Sequence, residues 1–242
     1  FYPVRGQNGT LRVVDFDGTL LSSIVPQNNT SRPITITRKG TISAGEMTQV
    51  IDVIQWQGFL SCEGYNQTYQ STAQSVEIAL QSVLQAMDFI QADTDTFNGL
   101  MSVRDIIAAS IVKVNDYGAA IEGIKINKID CFVLEKLINT SLFFEQKEQS
   151  NENSVTYLIN GKSLKSVLEM ICTFMGWCVR EKGKILYFQR IGSKAGYASI
   201  SLSDLQNMVK PLVQLVSNVT GQLTSAMSSY EYRGANHTIA FD

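Results

Sequence analysis

The chain has 242 residues, of which 44% are hydrophobic and only 17% are charged, and its formal net charge is −2. This length is enough for one large domain or two modest ones, and no apolar run approaches the roughly 18 residues that cross a bilayer. The sparse, balanced charge argues against electrostatic binding of nucleic acid, which needs clustered Lys and Arg. The chain begins Phe1-Tyr2-Pro3, without Met or a signal-peptide pattern, and we expect it to be part of a longer polypeptide.

The first ninety residues carry the period-two hydrophobic pattern of β-strands. Four runs alternate or are apolar and are bounded by turn signals: 11–16, 34–38, 50–60 and 74–80. The third run is long enough to hold a β-bulge, which we place near Gly58. No amphipathic helix separates the first three runs, so the pattern predicts an antiparallel sheet or a small barrel.

From residue 81 the hydrophobic period becomes helical. Val83, Leu84 and Met87 fit a short helix, and Ser102 is a candidate N-cap for a second helix that Gly118 would stop. The clearest helix is predicted over 163–175, where apolar residues recur at helical spacing and Gly176 follows as a stop signal.

A β-hairpin is predicted directly after that helix, with strands at 177–180 and 184–188 and Gly183 in its turn. We expect strands near 124–126 and 157–159 to join this helix and hairpin in a second core. The polar stretch 145–153 is predicted to be a loop or a mobile insertion. In the tail, Pro211 interrupts a possible helical face that begins at Leu205, and strands are predicted at 230–232 and 238–241.

One motif has the residue pattern of an enzyme. Asp15-Phe16-Asp17-Gly18-Thr19-Leu20 resembles the first motif of haloacid-dehalogenase-type phosphatases, in which the first Asp attacks phosphorus and a magnesium ion sits on the carboxylates. The later acidic pair of that family is absent, and the flanking pattern lacks the alternating strands and helices that its parallel sheet needs. We therefore interpret Asp17-Gly18 as a turn after a strand.

Other candidate sites are also weak. The four cysteines (Cys62, Cys131, Cys172 and Cys178) form no Cys-x-x-Cys pair and are interpreted as small buried hydrophobes. The stretch from Asp93 to Gly99 begins like a calcium loop, but Arg104 stands where the bidentate Glu belongs. His237 is interpreted as a surface or packing residue. We expect no catalytic residue, no cofactor and no metal, and hence a protein that is not an enzyme.

Several spaced segments together resemble the central baseplate hub proteins of tailed bacteriophages, also called tail-associated or tail-base proteins, of phages and prophages of gut bacteria. These segments occur in the family's order: Tyr2-Pro3-Val4-Arg5-Gly6; Ile54-Gln55-Trp56-Gln57-Gly58-Phe59-Leu60, with Tyr65 and Tyr69 before the strand 75–80; the helix start Ser102 to Ile107; and Leu142-Phe143-Phe144, followed by the helix 164–175 and the hairpin that ends in Leu186-Tyr187-Phe188.

The resemblance implies an α+β, β-rich fold with two barrel-like or antiparallel-sheet domains and a few short packed helices. It implies a first β domain over 1–90, an inserted α+β domain over 91–195, and a return to the first domain over 196–242. The implied role is a structural part of the virion tail tip, assembled in the bacterial cytoplasm. There a homotrimer would join the tail tube to the spike or fibres and let DNA pass through its lumen without sequence-specific binding.

Two alternatives to this role stay open at the level of the sequence. One is the magnesium-dependent phosphatase that the Asp15 motif suggests. The other is a surface module that binds carbohydrate or a receptor through aromatics such as Tyr65 or Tyr230. In the assembly role Trp56, Phe59, Tyr65 and Tyr69 are candidate interface anchors, although for Trp56 we favour packing within its own sheet.

Overall fold

A computed structural model describes residues 3–16, 24–44, 47–62, 66–67, 74–151, 154–207, 212–217, 223–232 and 235–240. The fold is mixed α+β and rich in strands, as predicted. Contacts divide the chain into two units, 1–205 and 206–242. The division predicted from the sequence, with a domain at 91–195 inserted into a first domain formed by 1–90 and 196–242, stays a prediction.

The first sheet contains the four strands expected in the first ninety residues. In chain order they are β2 (Asn8–Asp15), β3 (Pro33–Ala44), β4 (Met47–Leu60) and β6 (Gln74–Ser82), and the short β5 (Asn66–Gln67) pairs with β6. The sheet order is β2-β6-β4-β3 and all its pairings are antiparallel. The sheet is a half-barrel only, so closure into a barrel is not confirmed.

Alternation along these strands builds the core of the first sheet. Leu60, Val76, Ile78 and Leu80 form a buried cluster. Five partly buried side chains pack against this cluster: Leu11, Val13, Ile24, Ile34 and Trp56. Trp56 therefore packs within its own sheet, as favoured from the sequence, because its side chain lies on the face that the strand pattern buries.

The predicted bulge in the third strand exists, but its position was wrong. Ile36 pairs with Trp56 and Thr37 pairs with Ile54, so the extra residue in β4 is Gln55 rather than one near Gly58. Gly58 is needed for a different reason, which is the close approach of neighbouring atoms. A Cβ atom there would lie 2.1 Å from the backbone oxygen of Gln81 and 2.5 Å from the Trp56 ring, so only glycine fits between them.

The central sheet has five strands in the order β1-β12-β13-β8-β14. Their bounds are β1 Val4–Arg5, β8 Gly123–Asn127, β12 Trp177–Lys182, β13 Ile185–Arg190 and β14 Tyr197–Ser201. The predicted hairpin is confirmed as β12 and β13, with Gly183 at φ +58° in its two-residue turn. The sheet is mixed, because β1 runs parallel to β12 and β8 parallel to β13.

Helices cover one face of this sheet. They are α1 (Val83–Ala86), α2 (Val103–Asn115), α3 (Leu164–Met175) and α4 (Leu202–Asn207), with 3₁₀ segments at Met87–Phe89, Lys128–Glu135 and Thr140–Phe143. The predicted cap at Ser102 is confirmed, since its hydroxyl oxygen accepts a hydrogen bond from the backbone N–H of Asp105, and Ser163 caps α3 in the same way through the N–H of Ser166. Gly176 ends α3 at φ +66°.

Two predictions around residue 150 were wrong. The polar stretch expected to be a loop is strand β10 (Phe144–Asn151), which pairs with β11 (Ser154–Gly161) in a separate two-stranded hairpin. The strand expected near 157–159 exists as part of β11, but it does not join the central sheet. Cross-strand hydrogen bonding outweighs composition here, because a two-stranded ribbon needs no apolar face to satisfy its backbone. The remaining ribbon in this unit pairs β7 (Leu100–Ser102) with β9 (Leu137–Asn139).

The second unit contains a three-stranded antiparallel sheet. Its strands are β15 (Leu212–Ser217), β16 (Leu223–Tyr232) and β17 (Ala235–Ala240), in that order. The strands predicted at 230–232 and 238–241 correspond to β16 and β17. The possible helical face from Leu205 was wrong at Leu212 and Val213, because 212–217 is a strand, and its residues 208–211 lie outside the described residues.

Candidate assembly surface

The hairpin of β3 and β4 extends well past the sheet that it belongs to. Its register runs from Pro33↔Phe59 to Ala44↔Met47, but β4 pairs with β6 only through Gly58–Leu60. The segments 37–44 and 47–54 therefore form a two-stranded ribbon, which we call the arm. At about 3.3 Å per residue its eight residue pairs extend about 26 Å. In the part of the chain that the structure describes, no further strand pairs with either outer edge of the arm.

The base of the arm is held to the central sheet by one side chain. Gln57 Nε2 donates to the backbone oxygen of Gly183 at 3.0 Å, and its Oε1 accepts from Ala120 N–H at 2.9 Å. Gln57 is buried, so both ends of its amide are satisfied inside the protein. The bulge at Gln55 lies directly beyond this anchor and sets the direction in which the arm leaves the sheet.

The arm has two unpaired strand edges to which a further strand could be added. A two-stranded ribbon alone is marginally stable in water, and its outer N–H and C=O groups are a template for another strand. Ile36 at its base is 44% exposed and Val53 within it is 39% exposed. Arg38 and Lys39 are the charged residues of β3, and the stretch from Gly40 to Ala44 carries none. The outer part of this edge therefore has no charge of its own that would oppose pairing.

A second exposed apolar surface lies on the ribbon of β7 and β9. Leu100 pairs with Asn139 and Leu137 with Ser102, which places both leucines on the same face. They are 68% and 64% exposed. The neighbouring 3₁₀ segment adds Ile129 and Phe132, exposed by 53% and 59%. Such side chains are normal singly, but two on one face of a short ribbon indicate a contact surface.

The candidate interface anchors named from the sequence lie elsewhere. Phe59 was a wrong choice, since its side chain is fully buried in the first unit and cannot reach a partner. Trp56 packs on the first core. Tyr65 and Tyr69 lie outside the described residues. The exposed apolar residues on β7 and β9 were missed because period-two alternation predicts only which residues share a face, and not which face is left uncovered.

The structure places Asp15 at the end of β2, where its side chain is buried. β2 pairs antiparallel with β6, so the parallel sheet of the phosphatase family is not formed at this position. No cluster of three or more Asp, Glu, His or Cys that could hold a metal occurs among the residues that the structure describes. The turn predicted at Asp17-Gly18, with Thr19, lies outside those residues.

The other candidate residues have structural surroundings. Cys131 and Cys172 are buried and Cys178 is half-buried, whereas Cys62 is exposed, so that one interpretation as a buried hydrophobe was wrong. Burial raises the pKa of the Cys172 thiol, which keeps it protonated and unreactive. Asp93, the first residue of the calcium-like stretch, accepts a hydrogen bond from Thr96 N–H at 2.7 Å and pairs with Lys113. His237 lies in β17.

Two buried carboxylates stabilise the central sheet. Asp130 is fully buried and accepts hydrogen bonds from the Arg190 guanidinium, with Nε at 2.8 Å, and this pairing raises the pKa of Arg190. Glu181 faces inward from β12, and its Oε2 accepts from Leu84 N–H at 2.9 Å. Burial raises the pKa of Glu181 to about 7. Both contacts join distant parts of the first unit, so these carboxylates are structural.

A shallow groove of about 470 Å³ runs along the exposed side of α3. Its lining residues are Glu145, Lys162, Ser163, Ser166, Glu169, Met170, Thr173 and Phe174. The hydroxyl of Ser163 caps α3 and also donates to Asp88 at 3.0 Å, and Lys162 lies 4.0 Å from the sulfur of Met170. The Ser163 hydroxyl is therefore held by contacts within the fold, to Asp88 and to the start of α3.

Comparison with known proteins gave one solved structure to report. No protein-family model matches the chain, and no curated protein matches it. The chain is similar to the 43 kDa tail protein of prophage MuSo2 from Shewanella oneidensis, with 9% sequence identity and a TM-score of 0.38. The match covers 79% of this chain and 48% of that protein, so the chain spans about half the length of the protein it matches.

One further finding concerns membranes. Among the described residues, no helix is both long and apolar enough to cross a bilayer.

Proposed function

We propose that this protein is a structural component of a phage or prophage tail tip, a baseplate hub that joins the tail tube to the spike or fibres through assembly of its subunits. The observation that carries the proposal is the arm, whose two outer edges lack a strand partner in the described chain. A ribbon of this length is stabilised when its edges pair with another subunit. The spaced segments that resemble baseplate hub proteins support the same role.

The arm offers more to another subunit than to a small ligand. Its backbone groups form a continuous row, and pairing of such rows is how sheets extend across symmetric oligomers. The exposed leucines on β7 and β9 add apolar area that a second contact would bury. We infer a homotrimer with other tail proteins as further partners, located in the virion tail. The role needs no catalytic residue, cofactor or metal.

The proposal is tested by the mass of the protein in solution, measured by light scattering across a range of concentrations. We expect a trimer or larger ring. An arm-shortened variant, in which residues 38–53 are replaced by Asn-Gly, closes the hairpin directly after the Thr37↔Ile54 pair with a favourable two-residue turn. This variant should fold normally but assemble less.

The chain supplies a matched control for that variant. Replacing residues 148–157 by Asn-Gly shortens the hairpin of β10 and β11 in the same manner, directly after the Lys147↔Leu158 pair. This hairpin also has eight residue pairs and no further strand partner among the described residues, so the comparison tests whether assembly depends on the arm in particular, and we expect the larger loss of mass from the arm-shortened variant. A wild-type chain that stays monomeric at all concentrations would contradict the assembly role, and equal effects of the two shortenings would contradict the part assigned to the arm.

A further inference from the structure

The outward face of the central sheet carries a row of cations that the fold gathers from distant parts of the sequence. Arg5 on β1 is the register partner of Arg180 on β12, which pairs with Tyr187 on β13. Tyr187 in turn pairs with Lys125 on β8, and Lys125 with Ser199 on β14. One straight row therefore crosses all five strands. At about 4.8 Å between strands it is about 19 Å long.

Alternation confirms that this row is on the solvent side of the sheet. Val4 and Val179, the neighbours of Arg5 and Arg180, are buried on the opposite face, as are Leu186 and Ile124 beside Tyr187 and Lys125. Arg5 and Arg180 are exposed, and Tyr187 and Lys125 are half-buried. Lys182, two residues after Arg180, adds a fourth cation to the same face.

Aromatic rings lie between these cations. The Lys125 ammonium and the Arg180 guanidinium each lie 5.4 Å from the centre of the Tyr187 ring. The ring of Tyr197 meets Tyr187 edge-on at 5.7 Å. The two tyrosines and their cations form one continuous surface, which we call the basic row: Arg5, Lys125, Arg180, Lys182, Tyr187 and Tyr197.

The fold itself gives no reason for this concentration of charge. Two arginines directly opposite each other on neighbouring strands repel, and none of the residues that alternation places on this face of the five strands is acidic. Arg5, Lys125, Arg180 and Lys182 make no ion pair with any described carboxylate, whereas Arg12, Lys113 and Arg190 each have one. Glu122, beside the sheet, is already paired with Lys184. Because no described carboxylate pairs with these four cations, they are available to an anionic ligand.

We propose that the basic row binds single-stranded nucleic acid, with the cations on its phosphates and the tyrosines against its bases. Cations interleaved with aromatic rings on an open surface are the combination that binds a single strand without sequence preference. An acidic peptide would use the cations but gain little from the rings. A duplex keeps its bases stacked inside the helix, where tyrosines on a protein surface cannot reach their faces. This proposal does not depend on the assembly role. That role is tested by the mass of the protein in solution, whereas nucleic-acid binding is measured separately.

Binding is measured by fluorescence anisotropy with a labelled oligothymidylate of about 16 nucleotides. We expect the cations of the basic row to neutralise about three to four phosphates. A plot of the logarithm of the binding constant against the logarithm of salt concentration should then have a slope of about −2 to −3. The double variant Lys125→Gln/Arg180→Gln should weaken binding at least tenfold and bring this slope about 1.4 closer to zero. Tyr187→Leu should weaken binding about tenfold and leave the slope unchanged, because the ring carries no charge.

The matched control is Arg12→Gln/Lys136→Gln, which removes the same charge from two exposed positions off this face and should leave binding and slope nearly as in the wild type. Circular dichroism and urea unfolding confirm that each variant is folded. Absence of binding, equal losses in both double variants, or displacement of the oligonucleotide by poly-glutamate as readily as by unlabelled oligothymidylate would each overturn the proposal.

Discussion

Glu181 is a buried carboxylate on β12, and its protonation is expected to make the stability of the fold depend on pH. Its Oε2 accepts a hydrogen bond from Leu84 N–H at the start of α1, which joins the central sheet to the helix that follows the first sheet. Burial raises the pKa of Glu181 from 4.5 to about 7, although hydrogen bonds from Leu84, Val83 and Ser82 oppose the rise.

The direction of the effect follows from where the proton is held. Between about pH 4.5 and 7 the native state keeps Glu181 protonated while the unfolded state has lost that proton, so the free energy of unfolding falls as the pH rises through this window. Above pH 7 Glu181 is ionised in both the native and the unfolded state, so its contribution to the free energy of unfolding no longer changes with pH. The pKa of Glu181 is about 7 in the native state and 4.5 as the ordinary value. At about 1.4 kcal/mol per pKa unit, this difference lowers the free energy of unfolding by about 3 kcal/mol over the whole window.

Urea unfolding at pH 5 and at pH 8 measures this effect. Glu181→Gln keeps an acceptor for Leu84 N–H but carries no charge at either pH. We expect the wild type to lose about 2 to 3 kcal/mol relative to this variant on going from pH 5 to pH 8, since that interval spans most of the window. Glu122→Gln, at an exposed carboxylate, is the control and should follow the wild type. If Glu181→Gln shows the same pH dependence as the wild type, the carboxylate is not held protonated in the fold.

Three further predictions concern single side chains. Gly58→Ala should lower the free energy of unfolding by about 2 to 3 kcal/mol, because its Cβ would overlap the backbone oxygen of Gln81, and Gly196→Ala, with open space around it, should be nearly neutral in the same urea titration. Ser163→Ala removes the N-cap of α3 and should cost about 1 kcal/mol, measured as a shift of the unfolding midpoint; no shift would show that the cap does not stabilise α3. With magnesium and a generic phosphate ester we expect no hydrolysis, and turnover that disappears in Asp15→Asn would establish the phosphatase instead.

The local structure of much of this chain could be predicted because its causes are local. The helix α3 followed from apolar residues at helical spacing between Ser163 and Gly176, which bracket it as caps. The hairpin after it followed from two apolar runs around Gly183. The prediction failed at β10, where eight mostly polar residues form a strand. Their partner is the next strand along the chain, β11, and composition alone does not show that pairing.

The candidate sites were harder to predict because they depend on which strands become neighbours. The residue pattern of Asp15 to Leu20 indicated a phosphatase, and only the surrounding pattern argued against it; the antiparallel pairing of β2 with β6 agrees with that argument. The arm exists because β4 pairs with β3 along most of its length but pairs with β6 only over Gly58–Leu60. Nothing in the segment 47–57 itself marks where β6 stops being its neighbour.

The sequence by itself determined the alternation of the strands, the ends of the helices and the low overall charge, since each depends on residues close together along the chain. Only the tertiary structure decided where charge is concentrated. Arg5, Lys125 and Arg180 are more than fifty residues apart, and they form one row because β1, β12, β13 and β8 lie side by side in the sheet. A low average charge therefore did not exclude a basic surface, because strand order, which long-range pairing sets, brings distant side chains to one face.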